Sequence, residues 1–230
     1  MYMRRTHVLV VGVSLVLVAG LAFVIGRATT PSTTTTSLSV PTTSIPESQP
    51  QVAIWPFATS ATRYTDPVTA AFSFAVQYLG FTSPLVGDFH ASGHRSGDVP
   101  VRTSPGGEVT TVAVRQLTSD HTWWVVSADA PTLRLDEPVA RATVSSPVTL
   151  SGQSTAFEAV VNVAIVGDGS VTPVATDVVM GGSMGETGPF HKAISFATPT
   201  VTGGAVVLRT RSAKDGSYIA ATARRVAFAH

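Results

Sequence analysis

The chain has 230 residues, with 15 basic and 14 acidic side chains and no cysteine. The lack of cysteine excludes disulfides, cysteine-ligated zinc, thiol catalysis and a lipid anchor on an N-terminal cysteine. Arg4, Arg5 and Arg27 flank an apolar segment near the start, and the rest of the chain carries 12 basic and 14 acidic residues, a net charge of −2. A body this close to neutral gives no electrostatic reason to expect a nucleic acid partner.

An uncharged apolar segment runs from Val8 to Ile25. As a helix it would measure ~27 Å, enough for a hydrocarbon core of ~30 Å with slight thinning. Arg4 and Arg5 precede it, so the positive-inside rule keeps residues 1–7 in the cytoplasm and places the remainder outside. A cleavable signal peptide is the alternative, but its apolar core normally spans ~7–15 residues. We therefore expect a single-pass signal anchor, with residues 8–25 in the lipid bilayer of the cell membrane.

Residues 26–51 form a linker that is dominated by Thr, Ser and Pro and carries one acidic residue, Glu47. Such a tract cannot bury enough apolar surface to offset the entropy of ordering it. Its spaced prolines favour an extended backbone. We predict a disordered spacer between bilayer and body, and tracts of this kind outside the cell are often O-glycosylated.

The first body domain, residues 52–131, is predicted to be α+β. Asp66 is a favourable N-cap, Pro67 suits the first helical position, and Gly80 ends the helix. The apolar face of this helix is predicted to consist of Val68, Ala71, Phe72, Ala75, Val76 and Leu79. Short strands are predicted to follow at Phe89–Ala91, Val99–Thr103, Val109–Leu117 and Thr122–Ala128. One helix on a small antiparallel sheet is therefore expected.

Two adjacent tryptophans, Trp123 and Trp124, lie in the last of these strands and should face opposite sides of the sheet. One is expected beneath the helix, and the other is either half-covered or exposed. An exposed tryptophan on a sheet can stack on sugar rings, which would indicate a module that binds peptidoglycan or another cell-wall glycan. Core packing together with a contact between domains is the competing interpretation.

The second body domain, residues 132–230, has strand patterns every eight to twelve residues and no helical stripe, which is typical of a β-sandwich. Turns rich in glycine separate these patterns, among them Gly167–Ser170 and Lys214–Ser217. Strands are predicted near Leu133–Leu135, Ala142–Val144, Val148–Gln153, Glu158–Val166, Thr172–Met180, Phe190–Phe196, Ala205–Ser212 and Tyr218–Phe228.

Several short motifs in this region form a distinctive series. Pro138 and Val144–Pro147 are followed by Leu150–Gly152, Ala156–Ala159, Gly188–Phe190, Val206–Leu208 and Ala213–Gly216. In order and spacing the series resembles the immunoglobulin-like domain of bacterial spore germination proteins, the second Gmad type, over residues 133–230. The resemblance implies an immunoglobulin-like sandwich in an exported, envelope-associated protein, and it implies no catalytic residues.

The sequence offers weak candidates for chemistry. Gly181–Gly185 matches the G-x-S-x-G pattern of hydrolases around Ser183, but Pro189 follows where a nucleophile elbow needs a helix. His90 and His94 would lie ~13 Å apart on a strand, too far to share a metal ion. Asp168 and Asp215 are typical turn residues, and calcium would need further oxygen ligands. We expect no catalytic residues, no metal and no cofactor.

Arg209 and Arg211 lie two apart on a predicted strand and therefore share one face. Solvation is the ordinary role of such residues, but two arginines side by side can also bind an acidic partner. Together with Trp123 and Trp124 they are the residues predicted to contact a ligand or partner. The expectation is a membrane-anchored, non-catalytic interaction or assembly module of the cell envelope, whose partner is another envelope protein or a cell-wall polymer.

Overall fold

The computed structural model describes residues 50–230, which lie in one compact unit. The predicted cytoplasmic tail, the membrane helix at residues 8–25 and nearly all of the linker lie outside the described residues. Within residues 50–230, no helix combines the length and the apolar character needed to cross a bilayer. The membrane anchor therefore stays a prediction.

The predicted helix is present as α1, which runs from Pro67 to Gln77. The carboxylate of Asp66 accepts a hydrogen bond of 2.7 Å from the backbone N–H of Thr69, which satisfies one of the free donors of the first turn. Pro67 occupies the first turn, where its missing N–H costs nothing. Gly80 follows the helix with φ +76, a conformation that glycine adopts at little cost. The predicted start and end signals are confirmed.

The predicted apolar face of α1 is wrong in part. Phe72 and Val76 are 47% and 38% exposed. The buried side chains are Ala70, Ala71, Ser73, Phe74 and Ala75. Apolar residues occur on almost every side of this helix, so two overlapping stripes fit the periodicity equally well. The sheet covers the stripe whose alanines allow close approach and whose Phe74 fills the remaining space.

Thirteen strands occur among the described residues, and they include every strand that the sequence predicts. Their bounds are β1 (Leu85–Val86), β2 (His90–Gly93), β3 (Ser96–Arg102), β4 (Thr110–Gln116), β5 (Trp123–Asp129), β6 (Leu133–Glu137), β7 (Thr143–Val144), β8 (Val148–Ser154), β9 (Val160–Gly167), β10 (Pro173–Met180), β11 (Gly188–Ile194), β12 (Gly203–Arg211) and β13 (Tyr218–Phe228). The sequence prediction omits β1, which is too short to show a pattern.

The predicted beginning of β9 at Glu158 is wrong. Residues Phe157–Ala159 form a 3-10 turn, with Glu158 at φ 52, ψ 25 and Ala159 at φ 62. Left-handed backbone of this kind is unfavourable for residues other than glycine. The chain reverses direction here before it enters β9, and the strand begins only at Val160.

The strands form two sheets. The larger has ten strands in the order β1-β3-β4-β5-β13-β12-β9-β10, with β2 also paired to β3 and β7 to β13. The smaller has the order β11-β8-β6. The antiparallel pairing of β5 with β13 places Ala128 opposite Ala223 and carries the large sheet across the predicted domain boundary at residues 131 and 132. Independent folding of the two segments stays a prediction.

The large sheet is covered on both faces. On one face, α1 packs over β3, β4 and β5, and this core also takes in small side chains of β9, β12 and β13, namely Ala164, Val166, Ala205, Val207, Ala221 and Ala223. On the other face, Leu133, Leu150, Ile165, Phe190 and Leu208 join the core between the two sheets. Because β9 and β12 are buried on both faces, their sequences are nearly continuous runs of apolar residues. The fold is mainly β, a sandwich of sheets with one small helix.

An ion pair lies at the end of the sheet where β9 turns into β10. Nη1 of Arg225 donates to Oδ1 of Asp168, and Nη2 donates to Oδ2 at 2.6 Å. The side chain of Arg225 is 7% exposed and that of Asp168 is 34% exposed. A Cβ on Gly203 would lie 2.2 Å from Nη2 of Arg225, so the pair packs directly on glycine backbone. Asp168 lies in a turn, as its residue type and the glycines beside it predict.

Candidate functional site

A shallow cavity of about 390 Å³ opens on the helix-side face of the large sheet, next to the end of α1. Its principal lining residues come from four strands: Asn162, Thr176, Val178, Arg209, Arg211 and Tyr218. Arg209 and Arg211 continue the same face of β12 on which Ala205 and Val207 lie buried. The cavity therefore begins where the buried part of this face ends.

Tyr218 holds the two arginines together. The guanidinium carbon of Arg209 lies 4.5 Å from the centre of the Tyr218 ring, and that of Arg211 lies 4.2 Å from it. Arg211 also donates to the Tyr218 hydroxyl at 2.9 Å and to the carbonyl of Gly216 at 2.6 Å. Contacts of this type between cations and an aromatic ring fix the direction of both guanidinium groups.

Arg209 is also fixed from the helix side. Its Nη1 donates to the carbonyl oxygen of Leu79, in the segment that follows α1, at 3.3 Å. The amide of Asn162 donates to the backbone carbonyl of Arg209 at 3.5 Å. The Nε of Arg209 is buried and finds no hydrogen-bond partner among the described residues. The side chain is thus held in place while one of its donors remains unused.

No carboxylate neutralises this pair of arginines within residues 50–230, where the four ion pairs involve other residues. Burial lowers the pKa of Arg209, and the like charge of Arg211 contributes to the same shift. The guanidinium group of Arg209 nevertheless keeps its charge at neutral pH. Since the residues after Arg27 carry a net charge of −2, the positive charge at this cavity is a local feature.

Asp177 also lines the cavity, but its carboxylate already has a partner. Lys192 of β11 contacts it at 2.7 Å and also donates to the carbonyl of Val178 at 3.0 Å. The hydrogen bond from Lys192 lowers the pKa of Asp177. Asp177 is therefore engaged with the small sheet, and the cavity retains the charge of its two arginines.

The side chains at this cavity favour binding of an anion. Guanidinium groups match the planar geometry of carboxylates and phosphates, and they do so best when their direction is fixed in advance. The amide of Asn162 and the hydroxyl of Thr176 add neutral hydrogen-bonding groups. The set contains no nucleophile paired with a base, which a nucleophilic mechanism would need.

The structure brings together two of the four predicted contact residues, Arg209 and Arg211. Sequence reasoning missed Tyr218 and Asn162. The pairing of β12 with β13 places Tyr218 opposite Arg211. That register follows from the Lys214–Ser217 turn, which was itself predicted, so Tyr218 could have been found by pairing the two strands across the turn. Asn162 carried no comparable signal.

Trp123 and Trp124 are not at this site, and neither offers an open ring. Trp123 is 8% exposed and packs edge-on against Phe89, with ring centres 5.0 Å apart, in the core beneath α1. Trp124 is 0% exposed on the opposite face, where it contacts Ala53 and Leu117 and lies under Arg63. The competing interpretation of core packing is confirmed for both rings. The expectation of a half-covered or exposed tryptophan is wrong, because the chain N-terminal to α1 covers the second face.

The weaker motifs occupy turns and edges. Ser183 lies in the loop between β10 and β11, with Met184 and Gly185 in left-handed backbone, and a strand instead of a helix follows. His90 begins β2, and His94 lies in the turn after it. Among residues 50–230, no group of three or more His, Cys, Asp or Glu side chains is placed to hold a metal ion.

Comparison with known proteins yields one family match. No curated protein and no solved structure matches the chain. The family match ends before β13, whereas the resemblance seen in the sequence was expected to extend to residue 230. Residues 132–217 match the family described as the immunoglobulin-like domain of bacterial spore germination, which confirms the expected resemblance.

Proposed function

We propose that this protein is a non-catalytic interaction module of the cell envelope, anchored in the membrane by residues 8–25, with its body outside the cytoplasm. In this proposal the cavity at Arg209 and Arg211 binds an acidic group on the partner. The partner is another envelope protein or a cell-wall polymer. Domains of the matched germination family are typically non-catalytic, which supports a role in binding.

One observation carries the proposal. Two guanidinium groups are fixed around Tyr218 on an open face, and no carboxylate pairs with either within the described residues. Holding two like charges close together costs free energy, which an internal acidic residue would normally offset. An acidic group supplied by a partner would remove that cost and gain charge-assisted hydrogen bonds.

Capture from native membranes tests the binding role. The full chain, tagged at its C-terminus, is compared with Arg211→Glu and with Arg115→Glu, which changes an exposed arginine on β4 away from the cavity. We expect a reproducible partner with the unchanged chain and with Arg115→Glu, and its loss with Arg211→Glu. Equal capture by all three proteins, or no capture of protein and no binding to purified cell wall, would contradict the proposal.

The orientation is tested separately with reporters fused at the C-terminus. Alkaline phosphatase, which matures only outside the cytoplasm, should be active. A fluorescent protein that folds only in the cytoplasm should stay dark. The reverse pattern would contradict the proposed location, because a body in the cytoplasm could not contact the cell wall.

Nothing in the structure favours the alternative of a glycan-binding module that stacks sugars on tryptophan. Both candidate rings are buried. A shift in tryptophan fluorescence on titration with soluble peptidoglycan fragments would be needed to restore it.

A further inference from the structure

A second cleft, of about 340 Å³, adjoins the arginine cavity, and Arg211 lines both. The cleft lies between the 3-10 turn at Phe157–Ala159 and the loop that joins β10 to β11. Its other principal lining residues are Phe157, Glu158, Met184, Gly185, Ala213 and Ile219. Arg211 therefore borders both depressions.

This cleft exposes two large apolar side chains at loop positions. Phe157 is 57% exposed, and Met184 is 96% exposed. Phe190, a strand residue just after the second loop, is buried in the sandwich core at 4%. Exposed apolar side chains that line a concave surface together are typical of interaction sites.

The two loops brace each other. Gly181 N–H donates to the carbonyl of Ala159, and Ala156 N–H donates to the carbonyl of Gly182, both at 3.0 Å. Glu158 and Met184 adopt left-handed backbone, at φ 52 and φ 54, which residues other than glycine rarely do. These bonds fix the bases of the two loops against each other, which lowers the cost of ordering them around a ligand.

Charge differs along the surface. Arg211 stands on the side shared with the arginine cavity. Glu158 also lines the cleft and forms no ion pair within residues 50–230, while Glu108 accepts a hydrogen bond from the backbone N–H of Thr132 at 3.2 Å. An acidic group on a ligand is attracted by Arg211 and repelled by Glu158. The acidic group is therefore directed towards the arginine cavity, and the cleft favours an uncharged group.

Building on the proposed function, we infer that the acidic partner is a protein segment in which an acidic side chain lies close to a large apolar one. The acidic side chain binds Arg209 and Arg211, and the apolar side chain packs between Phe157 and Met184. A polymer that carries only anionic groups would use the first site and leave the second one empty. The cleft thus selects a protein segment over a simple polyanion.

Two labelled peptides test this inference on the full chain in detergent. One is built from glutamate and glycine, and the other is the same peptide extended by two leucines. Burial of a leucine side chain corresponds to a tenfold or larger gain in affinity, so we expect the extended peptide to bind about tenfold more tightly. The double variant Phe157→Ala, Met184→Ala should remove that advantage and leave binding of the glutamate peptide unchanged.

Met180→Ala is the matched control, because Met180 is also 57% exposed but belongs to β10 outside both depressions. It should bind both peptides as the unchanged chain does. Equal affinity for the two peptides, or an advantage that survives the double variant, overturns this inference alone. If neither peptide binds, or if Arg211→Glu binds both as before, the inference falls together with the acidic-partner proposal.

Discussion

Strand β12 passes through two regions of opposite character on a single face of the large sheet. At Ala205 and Val207 the face is buried in the core that includes α1, and these residues are 0% and 1% exposed. At Arg209 and Arg211 the same face is charged and borders an open cavity. The change occurs where Arg209 donates to the carbonyl of Leu79, just beyond the helix.

The comparison shows that burial decides which side chains this face of the strand carries. Where the face is buried in the core, small apolar side chains allow close packing. Where the face opens to water, long charged side chains become tolerable. Ala205 and Val207 thus contribute to stability, whereas Arg209 and Arg211 are assigned to binding. The substitutions below measure buried and exposed positions separately.

The largest expected effect comes from the covered region. Phe74 on the buried face of α1 is fully buried and stacks on Tyr78, with ring centres 5.2 Å apart. Phe74→Ala should lower the free energy of unfolding by about 3–5 kcal/mol, because it leaves a cavity in the core. Phe72→Ala on the exposed side of the same helix should cost less than about 1 kcal/mol. Urea unfolding followed by tryptophan fluorescence measures both, and similar costs would refute the assignment of the two helix faces.

Two ion pairs, one in the turn before β10 and one within β10, sharpen the contrast between covered and open positions. Asp168→Ala leaves the buried Arg225 without its partner and should cost about 2–3 kcal/mol. Asp177→Ala breaks the more exposed pair with Lys192 and should cost less than about 1 kcal/mol. Thermal unfolding of both variants at one protein concentration checks the difference. A larger loss for Asp177→Ala would reverse the ranking of the two pairs.

A smaller effect is expected at the start of the covering helix. Hydrogen bonds from the side chain and the backbone of Thr69 lower the pKa of Asp66, so ionised Asp66 stabilises the fold. Asp66→Ala should cost about 1 kcal/mol at neutral pH. This contribution is complete above the unfolded-state pKa of about 3.9 and is lost as the pH falls through the lower folded-state value. Urea unfolding of both proteins from neutral to strongly acid pH should show the difference shrinking below about pH 4.

Asp88→Ala is the control for that series, since Asp88 is also exposed but caps no helix. It should change the free energy of unfolding by less than about 0.5 kcal/mol. A difference for Asp66→Ala that stays constant down to the lowest pH would mean that the carboxylate does not act as the cap.

The smallest effect on stability is expected at the open end of β12. Arg211→Ala should change the free energy of unfolding by less than about 1 kcal/mol, because the side chain is exposed and its contacts with Tyr218 and Gly216 are weakened by water. Arg209→Ala removes the contact with Leu79 and should cost about 1 kcal/mol. The same urea titration measures both variants. A cost above 2 kcal/mol for Arg211→Ala would show that the arginine is structural and would weaken its assignment to binding.

Local signals explain which elements could be predicted from the sequence. Asp66, Pro67 and Gly80 act within a few residues of themselves, so the helix ends follow directly from residue type. Ser, Pro and Gly residues at Ser104–Gly107 are typical of a turn, and this turn joins β3 to β4, with the N–H of Gly107 bonded to the carbonyl of Ser104 at 3.0 Å. The exposure of Phe72 could not be predicted, because it depends on which side of α1 the sheet occupies.

The candidate site also has features that the sequence predicted and features that it did not. The spacing of Arg209 and Arg211 predicts a shared face, and the structure shows that both contact Tyr218. Core packing of the tryptophans was one of two interpretations of the sequence, but the residues that cover Trp124 were not predictable, since Ala53 and Arg63 reach it from a segment far away in the chain. Equally, the cleft beside Phe157 depends on hydrogen bonds to a loop more than twenty residues further along.

The sequence by itself determined the order of the elements, the class of the fold and the series of motifs that identifies the immunoglobulin-like segment, because alternation, capping and turn residues act over short distances. The tertiary structure alone decided that one sheet runs through both halves of the body, that both tryptophans are buried and that Arg209 and Arg211 face an open cavity. These features depend on which surfaces meet across long stretches of chain, and the free energy of such contacts is set by burial and shape.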